Sequence, residues 1–244
     1  MTAVSIIPVE GIPELHEGDD LAAMIVDRIE LEDLDVVVVA QKAISKIEGR
    51  IVHLDGIDAS ERARQIAEDD GDAARRIEVI LREAKRVVRV RPPLVICETR
   101  HGFICASAGV DASNAPEPGT LVLLPVDPDA SAAALRDALR GRGGREVGVV
   151  VSDSFGRPWR QGTTDVAIGS AGVVVLQDLK GERDPIGYEL HATVIAVADE
   201  IAAAAQLVSG KLGRIPVTVV RGLDVRGDGL ATDIPIPPER DLFG

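Results

Sequence analysis

Short unbroken apolar runs, rather than long alternating ones, carry the pattern of this chain. Val36 to Ala40 is a continuous β-branched run, the mark of a strand covered on both faces. Val147 to Ser152, Leu121 to Pro125 and Val217 to Val220 read as further strands, as does Ser5 to Val9, closed by Gly11 and Pro13. Leu94 to Cys97 and Phe103 to Ala108 resemble two paired strands across the polar ETRHG, and Val173 to Gln177 is a last strand candidate. Helical spacing is found between these runs. Asp19 or Asp20 is placed to cap a helix whose Leu21, Met24, Ile25 and Ile29 share one face. Ser60 to Ala67 and Asp72 to Val88 read as helices, with Glu78 and Arg82 one turn apart, and Pro92-Pro93 stops the second. Ser131 is the expected cap of a helix to Leu139, broken by GRGG, and Val194 to Leu207 is Ala-rich and helical. Strands and helices mix without a βαβα rhythm, so the expected class is α+β rather than a doubly wound sheet. No repeat or linker divides the chain, and residues 1–244 are expected to form a single unit.

Composition narrows the function classes. Aromatics supply only 2% of the residues, so the core must be built from Val, Ile, Leu and Ala. A formal charge of -13 repels nucleic acid and anionic membranes, and both are set aside as partners. Cys97 and Cys105 lack any CxxC or Cys/His pattern and read as buried thiols of a reducing compartment. With no basic-then-apolar leader and no apolar run near the length of a membrane span, a cytoplasmic protein is expected.

Three groups of residues could carry chemistry. Asp111 and Asp153 each follow an apolar run at once, with Asn114 and Ser154 close behind. Hard oxygen donors at strand ends suit Mg²⁺ or Mn²⁺, while a single such Asp equally serves as a turn-stabilising residue. Gln41, Lys42, Lys46 and Arg50 follow the Val36 run, and Lys42 and Lys46 share a face if that stretch is helical. They read either as a local positive site for phosphate or as surface lysines. The third group, Arg157, Trp159, Arg160, Gln161, Thr163, Thr164 and Asp165, is read as a loop steered by Gly156, Pro158 and Gly162. Guanidinium forks beside an indole suit a ring-bearing or phosphorylated ligand; the alternative is a structural loop whose Trp plugs the core. GERDPIGYEL reads as a polar hairpin tip. Neither a Walker-type GxxxxGK[ST] nor a GxGxxG is present, and the histidines complete no Ser/His/Asp set.

Taken in order, GIPEL, QKAISKIEGR, GVDASN, LLPVDPDASA, SDSFGRPWRQGTTDVAIGSAG, GERDPIGYEL, VADEIAAAAQLVSGK and IPVTVVRG resemble the signatures of the coenzyme F420-0:L-glutamate ligase, or γ-glutamyl ligase, family over nearly the whole chain. That resemblance implies an α+β fold with mixed sheets and flanking helices, two lobes and an intimate homodimer. It implies GTP-dependent formation of an amide between L-glutamate and the phospholactyl carboxylate of F420-0 through an acyl phosphate, with further γ-linked glutamates as an extension. The family's nucleotide contacts match Ile12, Pro13, Glu14, Leu15, Gln41, Lys46 and Asn114, and its divalent metal ligands match Asp111 and Asp153, with a second ion reached from Ser154. A monovalent cation is an optional further cofactor. Two positions depart from the pattern: Gln41 stands where many relatives have Ser or Thr, and Lys211 where many have a metal-binding glutamine. A lysine ammonium cannot ligate a cation but can face phosphate. Arg157, Trp159, Arg160, Thr163 and Asp165 are left for the F420-0 or glutamate side. In some relatives a flavin-binding, nitroreductase-like domain follows this unit.

Overall fold

The computed structural model describes residues 3–242. In chain order its elements are β1 (Ser5–Pro8), α1 (Leu21–Val26), β2 (Val36–Ala40), α2 (Gln41–Ile47), β3 (Ile51–His53), α3 (Glu61–Ile66), α4 (Gly71–Glu83), β4 (Ala84–Arg91) and β5 (Leu94–Thr99). There follow β6 (Ile104–Ala106), β7 (Thr120–Val122), α5 (Pro128–Gly143), β8 (Gly148–Arg157), β9 (Arg160–Ala171), β10 (Gln177–Asp178), β11 (Val194–Ile195), α6 (Val197–Ser209) and β12 (Val217–Arg221).

The largest sheet runs β1-β12-β2-β8-β9, with β2 and β8 parallel and the other neighbours antiparallel. Smaller sheets are β3-β7, β4-β5-β6 and β10-β11. These mixed sheets with flanking helices are the α+β class expected. β2 behaves as its unbroken β-branched run demands: Val37 and Val39 enter one core with Leu21, Ile25, Ile44 and Leu139, while Val36 and Val38 enter another against α6. Ala198, Ala202 and Ala205 line that second face of α6, and small side chains let the helix lie close to the sheet where no aromatic is available. A third core joins α3 and α4 to β5 and β7 through Ala63, Ile77, Ile80, Val95 and Leu121. The free thiols of Cys97 and Cys105 are buried and face each other across β5 and β6, as expected for inert cysteines. Burial pushes the Cys105 thiol up to about 12.

Five expectations fail for physical reasons. The helix expected over 72–88 ends at Glu83, and Ala84–Arg91 turn into β4 against β5. Val87, Val88 and Val90 gain more from a pleated surface than from a helix, where χ1 is restricted. α5 starts ahead of Ser131: the Asp127 carboxylate accepts the Ala130 N–H at 3.0 Å with Pro128 in the first turn, and the Ser131 hydroxyl turns to Glu48 instead. Only Gln177 of the Val173 run joins a strand, since Val173 and Val175 are buried in the core. Val194 and Ile195 pair with that short strand, and α6 begins later, at Val197. Finally, the supposed loop around Trp159 is a hairpin. β8 and β9 pair from Val149↔Ala171 to Arg157↔Arg160, leaving Pro158 and Trp159 as the turn. β2 accompanies β8 only as far as Ser152, so the hairpin continues past the sheet as a two-stranded ribbon. Trp159 is 83% exposed at a φ of 54°, which rules out an indole plugging the core. The Arg183↔Glu189 bridge makes GERDPIGYEL the hairpin tip expected.

No helix among the described residues is long and apolar enough to cross a membrane. One close approach fixes how the sheet meets α5. A Cβ added to Gly169 would lie 2.2 Å from the Pro128 carbonyl oxygen, a backbone atom that cannot rotate away. Gly169→Ala is therefore expected to cost roughly 1–3 kcal/mol, read as a lower midpoint in thermal unfolding. An unchanged midpoint would mean that α5 is free to shift.

Candidate active site

Because β2 and β8 are parallel, with Ala40 opposite Ser152, their carboxyl ends lie side by side. β2 passes straight into α2 at Gln41, while β8 carries on into Ser152, Asp153 and Ser154. Ligand crevices of open sheets favour such a junction. On α2, Lys42 and Lys46 are one turn apart on a shared face, as the helical reading required, separated by about 6 Å of rise. They are not surface lysines: their side chains are 15% and 9% exposed.

Lys42 reaches across to the Asp111 turn. Its Nζ donates to Asp111 Oδ2 at 2.6 Å, to the Ser113 carbonyl at 2.8 Å and to the Ser113 hydroxyl at 2.6 Å. Asp111 is fixed from both sides: its backbone bridges to Val122, and its Oδ1 accepts the Ser113 N–H at 2.8 Å. Burial by itself would raise the Asp111 carboxyl, but hydrogen bonds from Lys42 and Ser113 outweigh it and hold the group at about 2. Asp153 has the opposite fate. Burial pushes its carboxyl up to about 7, with the charges of Asp165 and Asp111 adding to the effect, against the opposing Ser154 N–H and Lys42. Two carboxylates from separate segments thus feel each other and the same ammonium.

Asp165 sits opposite Ser154 on the ribbon, where its carboxylate accepts the Ser154 hydroxyl at 2.6 Å and the Ser152 hydroxyl at 3.2 Å. Behind it Gln206 of α6 accepts the Asp165 N–H at 3.0 Å. Sequence reasoning assigned Asp165 to a substrate loop and missed Gln206 altogether. The only available signal for Gln206 was its place on an Ala-rich helix, where a lone amide among small residues has to find a polar partner. The rest of the Arg/Trp group does not converge with these carboxylates. Arg157, Trp159, Arg160 and Thr163 are exposed at the ribbon's outer end, where Arg157 donates to the Gln161 carbonyl at 3.4 Å. Trp159 lies some five residues beyond Ser154, roughly 17 Å at strand rise.

The amino-terminal segment meets α2 through an ion pair between Glu14 and Lys46. Ile12 and Leu15 are core residues there, whereas Pro13 and Glu14 are exposed, so only backbone groups of the first two can face a ligand. Gln41 is 2% exposed and structurally engaged, donating to the Leu123 carbonyl at 3.0 Å and to Ser45 Oγ at 3.2 Å, with its Oε1 buried and unpartnered among the described residues. Asn114 is exposed in a left-handed turn at φ 55°. Lys211 is exposed in the turn after α6, and no contact between it and the carboxylates is found among the described residues.

These donors fit a hard divalent cation of limited protein ligation. No three His, Cys, Asp or Glu side chains among the described residues form a ready cage. Asp111, Asp153 and the Ser154 hydroxyl instead supply scattered hard oxygens, which suits Mg²⁺ or Mn²⁺ completed by water and phosphate oxygens. The repelled Asp153 carboxyl is the observation that favours a cation there, because an added positive charge would relieve it.

The protein is thus of the α+β class, with carboxylates and lysines gathered beside a parallel strand pair. The family described as F420-0:Gamma-glutamyl ligase matches residues 11–222, and the chain belongs to that family. It is 44% identical over 252 residues to a coenzyme F420:L-glutamate ligase of Methanopyrus kandleri, covering 100% of both chains. It is also 44% identical to the protein of that name from Archaeoglobus fulgidus, over 98% of this chain and 96% of the relative. A further relative of the same name, from Methanocaldococcus jannaschii, is 40% identical over 98% of this chain and 96% of its own.

Proposed function

We propose that this protein is a GTP-dependent ligase that joins L-glutamate to the phospholactyl carboxylate of coenzyme F420-0. The carboxylate attacks the γ-phosphorus of GTP to give an acyl phosphate and GDP. The glutamate amine then attacks the acyl carbon, forming the amide and releasing phosphate. The observation that carries this reading is the Lys42–Asp111 contact with Asp153 near enough to feel both charges, in a chain that spans the full length of a relative bearing this name.

In this reading Lys46 and Lys42 supply point charges to the nucleotide phosphates, and Glu14 positions the Lys46 ammonium. Ile12, Pro13, Leu15, Gln41 and Asn114 line the nucleotide, the buried members by backbone or by shaping the wall, and Lys211 faces phosphate from the turn after α6. Asp111, Asp153 and Ser154 would hold Mg²⁺ or Mn²⁺, two ions in the full site, which when bound offset the repulsion between a triphosphate and an incoming carboxylate. A monovalent cation belongs to the same proposal. Asp165 orients the Ser154 hydroxyl. Arg157, Trp159, Arg160 and Thr163, projecting on the ribbon, are best used against a second copy of the chain or a substrate spanning to it, which fits a homodimer working in the cytoplasm. γ-Linked addition of further glutamates would repeat the same chemistry on the product.

Incubating the protein with GTP, Mn²⁺, L-glutamate and F420-0 is expected to raise the mass of F420-0 by one glutamyl unit with release of GDP. A folded preparation that adds no glutamate would reject the proposal.

A further inference from the structure

β9 is the last strand of the large sheet, so one of its edges has no neighbouring strand. α6 closes part of that edge with two side chains. Asp199 Oδ1 accepts the Ala167 N–H at 2.9 Å, and Gln206 Oε1 accepts the Asp165 N–H at 3.0 Å. The two side chains stand about two helical turns apart on α6 and so share a face. Gln206 goes further than Asp199: its Nε2 lies 3.5 Å from Ser154 Oγ. We infer that Gln206 is a positioning residue which, together with Asp165, fixes the Ser154 hydroxyl so that its oxygen is left free to ligate a divalent cation. This rests on the cation part of the function proposed above and not on the identity of the substrates.

Counting hydrogens decides the role of Ser154. A serine hydroxyl has one hydrogen and two lone pairs. The hydrogen goes to Asp165 Oδ1 at 2.6 Å, a short bond of the kind made to a charged acceptor. Gln206 Nε2 faces one lone pair, and one remains. With its hydrogen committed, the hydroxyl has none to give to a phosphate oxygen. It can only accept, from a donor or from a cation. Ser152 also donates to Asp165, to Oδ2 at 3.2 Å, but it is 4% exposed, whereas Ser154 is half-buried. Of the two hydroxyls on this carboxylate, Ser154 is therefore the one open to a ligand. The amide of Gln206 does not swing freely, because its oxygen is anchored on a backbone N–H of β9. α6 thus sets the direction of the Ser154 oxygen from outside the cluster of Asp111, Asp153 and Lys42.

Residues that orient a metal ligand are commonly worth about ten- to a hundredfold in metal affinity. Mn²⁺ binding, followed by electron paramagnetic resonance of the free ion, is expected to weaken about tenfold in Gln206→Leu. Asp165→Asn keeps the N–H for Gln206, and with it the edge contact, and should also weaken binding about tenfold. Asp199→Ala opens the neighbouring edge contact without touching Ser154 and is expected to leave the Mn²⁺ Kd within about twofold, which separates lost packing from lost orientation. In a Ser154→Ala background, Gln206→Leu should weaken binding by less than about a further twofold, because its effect passes through the oxygen already removed. An unchanged Kd in both Gln206→Leu and Asp165→Asn, a full tenfold added to Ser154→Ala, or a wild-type chain that binds no Mn²⁺ would overturn the inference. If the wild-type chain binds Mn²⁺ but adds no glutamate to F420-0, the ligase reading fails by itself, and the Mn²⁺ series still decides the role of Gln206.

Discussion

Asp153→Asn is expected to reduce kcat/KM for glutamyl transfer by about 10³-fold or more while making the metal-free protein more heat-stable. The two effects have one cause. Asp153 lies where burial raises its carboxyl to about 7 and where Asp165 and Asp111 repel its charge, so the ionised group is held at a cost. A carboxyl whose folded value is raised binds protons more tightly when folded than when unfolded. Its contribution therefore leaves stability untouched well below the unfolded value near 4 and subtracts from it progressively as pH rises toward and through about 7. Asparagine keeps the shape and still accepts the Ser154 N–H, but never ionises. Above neutral pH its midpoint should exceed that of the wild type by roughly 2–4 °C, taking about 1 kcal/mol of relieved repulsion. Near pH 4 the two midpoints should converge. Activity moves the other way, because a neutral amide gives a divalent cation no charge, and losing about 4 kcal/mol of electrostatic stabilisation is a thousandfold in rate. Adding Mn²⁺ should raise the wild-type midpoint more than the variant's. If the variant is both active and unshifted in stability, Asp153 is a structural residue of β8 and holds no cation at the junction.

This opposition between stability and chemistry explains which parts of the molecule the sequence made legible. β2 and β8 were readable because their apolar runs have no other soluble solution, and the lysines' shared face followed once α2 formed. Asp111 and Asp153 stood out because each terminates such a run. What escaped was everything decided by partners distant in sequence. Val87, Val88 and Val90 belong to a strand only because β5 folds back beside them. The Trp159 segment looked like a loop because Gly156, Pro158 and Gly162 are turn residues, yet the pairing of Asp153 with Val166 and of Phe155 with Thr164 draws the chain into a ribbon with a short turn. That pairing also separates Asp165 from the arginines beside it in sequence and sets it against Ser154. Gln206 was invisible for the same reason: the group that gives it meaning lies 41 positions away.

Arg221→Ala is expected to be strongly destabilising although it lies outside the site, at about 3–5 kcal/mol, or a fall in midpoint of roughly 6–20 °C. Asp35 has a 0% exposed side chain just before β2, and Arg221 grips it from β12 with a two-pronged contact, Nε to Oδ1 at 2.8 Å and Nη2 to Oδ2 at 2.7 Å. The same guanidinium donates to Glu32 at 2.5 Å and to the Glu30 carbonyl at 3.0 Å, fastening the segment before β2 to the neighbouring strand β12. Truncating Arg221 leaves a carboxylate with no access to water and no counter-charge, the case in which breaking a buried pair costs most. Truncating the partner is milder. Arg221 is 26% exposed and still faces Glu32, so Asp35→Ala releases a cation that can rehydrate and forfeits chiefly the bond from the Glu32 N–H at 2.8 Å. The expected order is thus Arg221→Ala worse than Asp35→Ala, with Arg221→Lys intermediate because an ammonium cannot reproduce the fork. Chemical unfolding of the three variants tests it, and a loss under about 1 kcal/mol for Arg221→Ala, or the reverse order, would show that water reaches Asp35 and that β12 is not anchored through its charge.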